Sequence, residues 1–228
     1  MSLPENKLMV VLEEWKDVSW LSLEIIIFYF YSRNLIYSCS RRYTKSENTS
    51  TLGLFSAISI RGQGKVQLID NLAKHCDVGF YITEGAMAMV KGNVIDSSFY
   101  AGIFCEGEAR PNIVNNTFSG GDAASPVQVP RGLGILFILS AKGMVGKNQF
   151  EDFTVSPIMV FTRCHPMLKQ NSFVNIKICQ DRQASLEESL VKQFHSELQE
   201  DSLFYLVDSQ QKEEALWEII LKGEQEGK

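Results

Sequence analysis

Asparagine recurs at positions 93, 116, 148 and 171, each time two residues before a large apolar side chain: Ile95, Phe118, Phe150 and Phe173. Fourteen residues ahead of each asparagine stands Gly79, Gly102, Gly134 or Pro157. The spacings are 23, 32 and 23, so the middle unit is a 23-residue repeat carrying nine extra residues. The stretch Asp122–Pro130 has the composition of a loop and accounts for the insertion. Three further apolar columns follow the same period: Phe80/Ile103/Ile135/Ile158, Ile82/Cys105/Phe137/Val160 and Val90/Ile113/Val145/Leu168. Asparagine is only 11 of 228 residues, so its place in this register is not chance. A fixed period of this kind outranks local propensity as a guide to the fold.

Within a unit the apolar residues alternate, as in Phe80/Ile82 and Ile103/Cys105, which is the period of a strand. Twenty-three residues are too few for a helix-pair repeat of ~33–47 residues, and they suit three short strands joined by bends. The leucine-dominated consensus of a leucine-rich repeat is missing. The sequence therefore predicts an all-β solenoid, a parallel β-helix of four to five coils in which like residues stack on like. Phe118, Phe150 and Phe173 are expected to form an aromatic stack. The four asparagines are expected at turns, where Asn tolerates left-handed backbone and bonds locally. Ser56–Leu72 is read as a degraded coil with Asp70 in the asparagine column and Leu72 in the apolar one.

Three regions follow: residues 1–54 as an N-terminal segment able to cap the open edge, 55–178 as the β-helix, and 179–228 as an acidic helical extension. In the last region Ser185–Glu188 resembles a capping box, followed by an apolar stripe through Leu186, Leu190, Val191, Phe194 and Leu198. A second helical stretch is centred on Lys212–Leu221, and the tail is expected to cover the end of the solenoid.

Charge is unevenly placed. From Asp181 onward twelve acidic residues face five basic ones, a balance of −7, so the rest of the chain is slightly positive against a total of −5. No Lys/Arg cluster marks a nucleic-acid partner. The five cysteines show no metal-ligand spacing, and their scatter fits a reducing compartment. Neither metal nor cofactor is expected. The apolar run within Trp20–Tyr37 falls short of the ~20 residues a membrane helix needs, and its β-branched and aromatic content favours a strand.

Sugar chemistry on such a scaffold needs paired carboxylates at outward positions of neighbouring coils. Only Glu106 qualifies, with Glu84 and Glu108 on adjacent bends. Cys164–His165 and His75–Cys76 are sequence neighbours whose side chains diverge on a strand or bend, a poor geometry for proton transfer. The outward positions of the strand after the Gly/Pro column are unexpectedly apolar: Tyr81, Phe104, Leu136 and Met159, then Ile138 and Phe161. Such a face is either a protein-binding surface or one covered by the chain's own ends.

The stretches Gly102–Phe118 and Pro157–Phe173 resemble the right-handed β-helix repeats of eukaryotic intracellular proteins. The pattern is similar to that of the Shc-binding family, including its testis spindle-associated member, and secondly to that of F-box proteins bearing such repeats. The resemblance covers about residues 55–175 and transfers no individual functional residue. It implies a right-handed solenoid acting as a non-catalytic cytoplasmic scaffold of the spindle, cytoskeleton or germ cell. The substrate-recognition part of a ubiquitin-ligase adaptor is the second expectation, and a carbohydrate-binding or carbohydrate-active β-helix the third.

Overall fold

A computed structural model describes residues 9–10, 29–32, 35–37, 56–63, 65–120, 132–194 and 204–226. Three short strands come first: β1 (Met9–Val10), β2 (Tyr29–Ser32) and β3 (Leu35–Tyr37). Five complete coils follow. They are β4 (Ser56–Ile60), β5 (Lys65–Ile69) and β6 (Leu72–Lys74); β7 (Val78–Ile82), β8 (Met87–Lys91) and β9 (Val94–Asp96); β10 (Ala101–Cys105), β11 (Asn112–Val114) and β12 (Thr117–Ser119); β13 (Leu133–Phe137), β14 (Lys142–Gly146) and β15 (Gln149–Glu151); β16 (Ile158–Phe161), β17 (His165–Lys169) and β18 (Ser172–Val174). Successive coils pair in parallel and build three sheets, termed first, second and third in the order the chain visits them. The insertion Asp122–Pro130 lies outside the described residues.

The segment ahead of Ser56 was expected to cap the solenoid, with a strand within Trp20–Tyr37, where β2 and β3 are found. Its described residues instead continue the ladders: β2 pairs with β5 in the second sheet, and β3 pairs with β6 in the third. The sequence columns hid this because the register step is 37 residues, as from Leu35 to Leu72, and not 23.

The columns read from the sequence are the inner walls. Phe118 stacks on Phe150 at 4.8 Å, and Phe150 on Phe173 at 5.5 Å, with rings within 12° and 14° of parallel. The glycine column exists to make room for them. A Cβ on Gly134 would stand 2.9 Å from the Phe150 ring and 2.8 Å from the Pro157 carbonyl oxygen. On Gly102 it would meet Gly134 O at 2.7 Å and Phe118 Cδ1 at 3.1 Å. Two walls of the solenoid thus meet at a corner where one contributes large rings and the other no side chain.

The asparagines serve differently from the expectation. The left-handed residues are those just before them: Asp70, Gly92, Asn115, Lys147 and Gln170. Each asparagine turns inward and joins a buried ladder, Asn71–Asn93–Asn116–Asn148–Asn171. The backbone N–H and the Nδ2 of one asparagine both donate to the Oδ1 of the next, at 2.9–3.0 Å throughout. Where the second Nδ2 hydrogen is shown, on Asn93, Asn116, Asn148 and Asn171, it goes to a main-chain carbonyl one coil back. An amide is suited to this because it donates toward one neighbour and accepts from the other, so identical residues chain indefinitely. The first coil is also corrected by one position: Asn71, not Asp70, occupies the ladder, and Ala73 sits opposite Ile95. That coil is one residue shorter than the repeat, which displaced the alignment. The sequence has a further asparagine, Asn34, two residues before Ile36, but it lies outside the described residues.

The end of the solenoid is closed by three elements. Helix α1 (Gln180–Phe194) starts five residues ahead of the capping box read at Ser185, and Ser185 is exposed within it. The helix is tied down near its start, where Gln183 Oε1 accepts the buried Ser156 N–H at 2.7 Å. Strand β19 (Phe204–Val207), missed in the sequence, pairs antiparallel with β16 and covers the edge of the first sheet. Helix α2 (Gln210–Glu226) packs against β17, burying Leu216 and Ile220. Its Glu213, only 3% exposed, accepts the Asn171 Nδ2–H at 2.7 Å and so terminates the ladder. A carboxylate suits that place, since the last acceptor has no further neighbour to donate to.

Candidate protein-interaction surface

The apolar face read on the first sheet is not a surface. Leu136, Ile138 and Met159 are fully buried, Phe161 and Phe104 are 2% and 3% exposed, and only Tyr81 is half-buried. The chain covers this face itself. Leu186 and Leu190 of α1 and Phe204 and Leu206 of β19 belong to the same continuous apolar cluster, and Phe204 packs on Phe161 at 5.6 Å. Burying Leu136, Ile138, Met159 and Phe161 stabilises the fold by roughly 6–12 kcal/mol at about 1.5–3 kcal/mol per side chain. An exposed column of this length would be a liability; in the folded chain it is buried, with α1 and β19 contributing to the same apolar cluster.

Toward the N-terminal end the same sheet turns polar. The Tyr81 hydroxyl donates to Glu106, and the Arg61 guanidinium lies 5.7 Å from the Tyr81 ring centre. Burial, and then the bond to Glu106, push the Tyr81 phenol well above its usual range. Burial does the same to Tyr100, whose hydroxyl is enclosed without a hydrogen-bond partner among the described residues. Glu106 is thus engaged by a phenol. Among the described residues no group of three or more His, Cys, Asp or Glu is placed to hold a metal ion.

The cysteine–histidine neighbours separate as their spacing implied. Cys164 is buried while His165 is exposed on β17, and burial pushes the Cys164 thiol up to about 12. Cys105 is fully enclosed, and burial, then the nearby Cys164, push its thiol well above its usual range. Cys76 is buried too, its thiol donating to the Lys74 carbonyl at 3.5 Å. Such thiols are protonated at neutral pH and act as small hydrophobes.

The second sheet presents a different outer face, and sequence reading passed over it. In register, Gln67, Met89, Asn112, Met144 and Met167 form one outward column. On one side Lys65 adjoins Met87 and Lys142 adjoins His165; on the other run Ile69, Lys91, Val114, Gly146 and Lys169. Met87 and Met167 are 42% and 41% exposed, and Lys65, Lys91, Lys142 and Lys169 are all exposed. The five full-coil strands of this sheet contain no Asp or Glu. The signal was available: in β8, β11, β14 and β17 each residue preceding the inner column Val90/Ile113/Val145/Leu168 must point outward.

Comparison with known proteins decides the family. Residues 56–193, well over half of the chain, match the family described as right handed beta helix region. The chain belongs to the right-handed β-helix family. No curated protein and no solved structure matches it. Membership in this β-helix family accounts for the coiled architecture. It is shared by protein-binding and carbohydrate-related members, so the choice between these falls to the surface chemistry.

Proposed function

We propose that this β-helix is a non-catalytic protein-interaction scaffold that docks partners on the outer face of its second sheet. The observation that carries the reading is the methionine column of that sheet, Met89, Met144 and Met167 in register with Asn112 between the first two, left open to solvent at Met167, with Met87 open beside it. Methionine is unbranched and polarizable, and it recurs on surfaces that adapt to a partner. The rival carbohydrate-related reading rests on Glu106, whose carboxylate is engaged by Tyr81. A role at the spindle, or as the substrate-recognition part of a ubiquitin-ligase adaptor, is a finer form of the same proposal. Only the resemblance of the repeat speaks for either, as it does for a cytoplasmic location.

The test is co-purification with mass spectrometry, wild type beside Met87→Asp/Met167→Asp. Both side chains are exposed, so the double variant is expected to fold with an unchanged circular dichroism spectrum. Selective loss of partners from the folded variant supports the scaffold, and their names choose between spindle and ligase roles. An unchanged partner list rejects this face.

A further inference from the structure

The occupant of the second sheet can be specified further. We propose that it is an acidic amphipathic helix of a partner protein, lying along the solenoid axis with its apolar side on the methionine column. This rests on the docking reading above and adds the chemistry of the partner.

Charge arrangement is the first argument. Lys65 and Lys142 flank the methionine column on one margin, Lys91 and Lys169 on the other. The neighbouring third sheet neutralises itself across coils, where Lys74 meets Asp96 at 2.7 Å in the next coil. Burial works to raise the Asp96 carboxyl, but Lys74 and Ser97 hold it below its usual range. The second sheet has no such pairing: its strands carry no carboxylate, and these four lysines make no ion pair among the described residues. A chain with a net charge of −5 has left one flat face uniformly cationic.

Dimensions are the second argument. Lys91 and Lys169 stand three coil steps apart, about 14 Å at ~4.8 Å per step. The two lysine margins are four residues apart across the strands, roughly 13 Å. A helix of ~10–12 Å diameter fits between them, and about 10 residues span the 14 Å. Carboxylates on its two flanks would meet the lysine margins while leucine-sized side chains settle on the methionines. A nucleic acid fits less well, since over the five full coils the central column offers Gln67, Met89, Asn112, Met144 and Met167 and no aromatic ring for a base to stack on. An anionic membrane would draw on the lysines but leave the register of the apolar column between them without a role.

The test uses the full chain and a labelled amphipathic peptide of about four helical turns, with glutamates on both flanks of a leucine stripe. Companion peptides carry glutamine or lysine at the same positions. By fluorescence anisotropy the acidic peptide is expected to bind at least tenfold tighter than either companion, and to weaken several-fold as salt rises from about 0.05 to 0.3 M. Lys91→Glu/Lys142→Glu, both exposed and expected to fold, should reverse the preference toward the lysine peptide. Equal binding of the glutamine peptide, with no effect of the charge reversal, would overturn the acidic partner while leaving the docking face intact. Binding unaffected by Met87→Asp/Met167→Asp would overturn both. So would a dissociation constant weaker than about 1 mM for every peptide. Tighter binding of single-stranded DNA or phosphatidylserine vesicles would overturn the acidic partner in favour of that ligand.

Discussion

Removing the acceptor at the end of the asparagine ladder should loosen the C-terminal closure. Asn171 is buried, and its side-chain N–H reaches Glu213 Oε2 at 2.7 Å, while its backbone N–H lies 3.4 Å from both carboxylate oxygens. In Glu213→Ala both donors lose their acceptor. A charged hydrogen bond of this kind is worth about 1.5–3 kcal/mol and an orphaned buried donor costs about 1–3 kcal/mol, so the expected loss is roughly 2–4 kcal/mol. For a chain of this size that lowers the midpoint of thermal unfolding by about 4–16 °C. Glu213→Gln keeps a carbonyl oxygen in place, as asparagine does in every other coil, and should stay close to wild type. The two also differ in pH response. Burial outweighs the Asn171 donors and raises the Glu213 carboxyl above its ordinary value of 4.5. Between those values the folded chain keeps a proton the unfolded chain has released, so stability falls as pH rises through the window. Glu213→Gln lacks this term. It should match wild type near pH 4 and gain on it toward neutrality. Urea midpoints for the three proteins across that range decide the matter. A Glu213→Ala protein as stable as wild type would refute the ladder's dependence on its cap.

Further outcomes follow from the same geometry. Gly134→Ala forces a methyl group against the Phe150 ring and should lose about 1–3 kcal/mol by thermal melt. Gly62→Ala meets nothing within 4 Å and bears only its left-handed φ of 77°, about 1–2 kcal/mol. Asn116→Ala orphans the two Asn93 donors and removes the Nδ2 bonds to Asn148 Oδ1 and the Val90 carbonyl, while its backbone N–H stays on Asn148 Oδ1, and should lose about 3–5 kcal/mol in a urea titration. Leu136→Asp places a carboxylate at a fully buried site and should yield a chain without cooperative unfolding, whereas Met167→Asp should melt like wild type.

The coil was legible because stacking forces like residues onto like: the phenylalanine, glycine and asparagine columns are each one physical contact repeated. What the sequence concealed lies between elements distant along the chain. Glu213 meets Asn171 from 42 residues away, and no local pattern marks it. Strand β19 is four residues between helices, below the length at which alternation can be recognised. The apolar column, which the sequence left open as a docking face or a covered one, carried its own clue. Its outward residues change from Ser59 and Tyr81 in the early coils to Leu136, Met159 and Phe161 in the coils beside the tail, which is the pattern of an internal cover. The asparagines were found by their period but placed in the wrong conformation, because an amide serves a turn and a buried ladder equally well in composition.

The central claim is that the second sheet is the open working face and the first is sealed. Methionine oxidation footprinting with peroxide, read by mass spectrometry, tests it directly. Met87 and Met167 should oxidise rapidly and Met159 only on unfolding, since two of these thioethers face water and the third is fully enclosed. Addition of a bound partner should then protect Met87 and Met167. Oxidation of Met159 in the folded chain at the rate of Met167 would contradict the account.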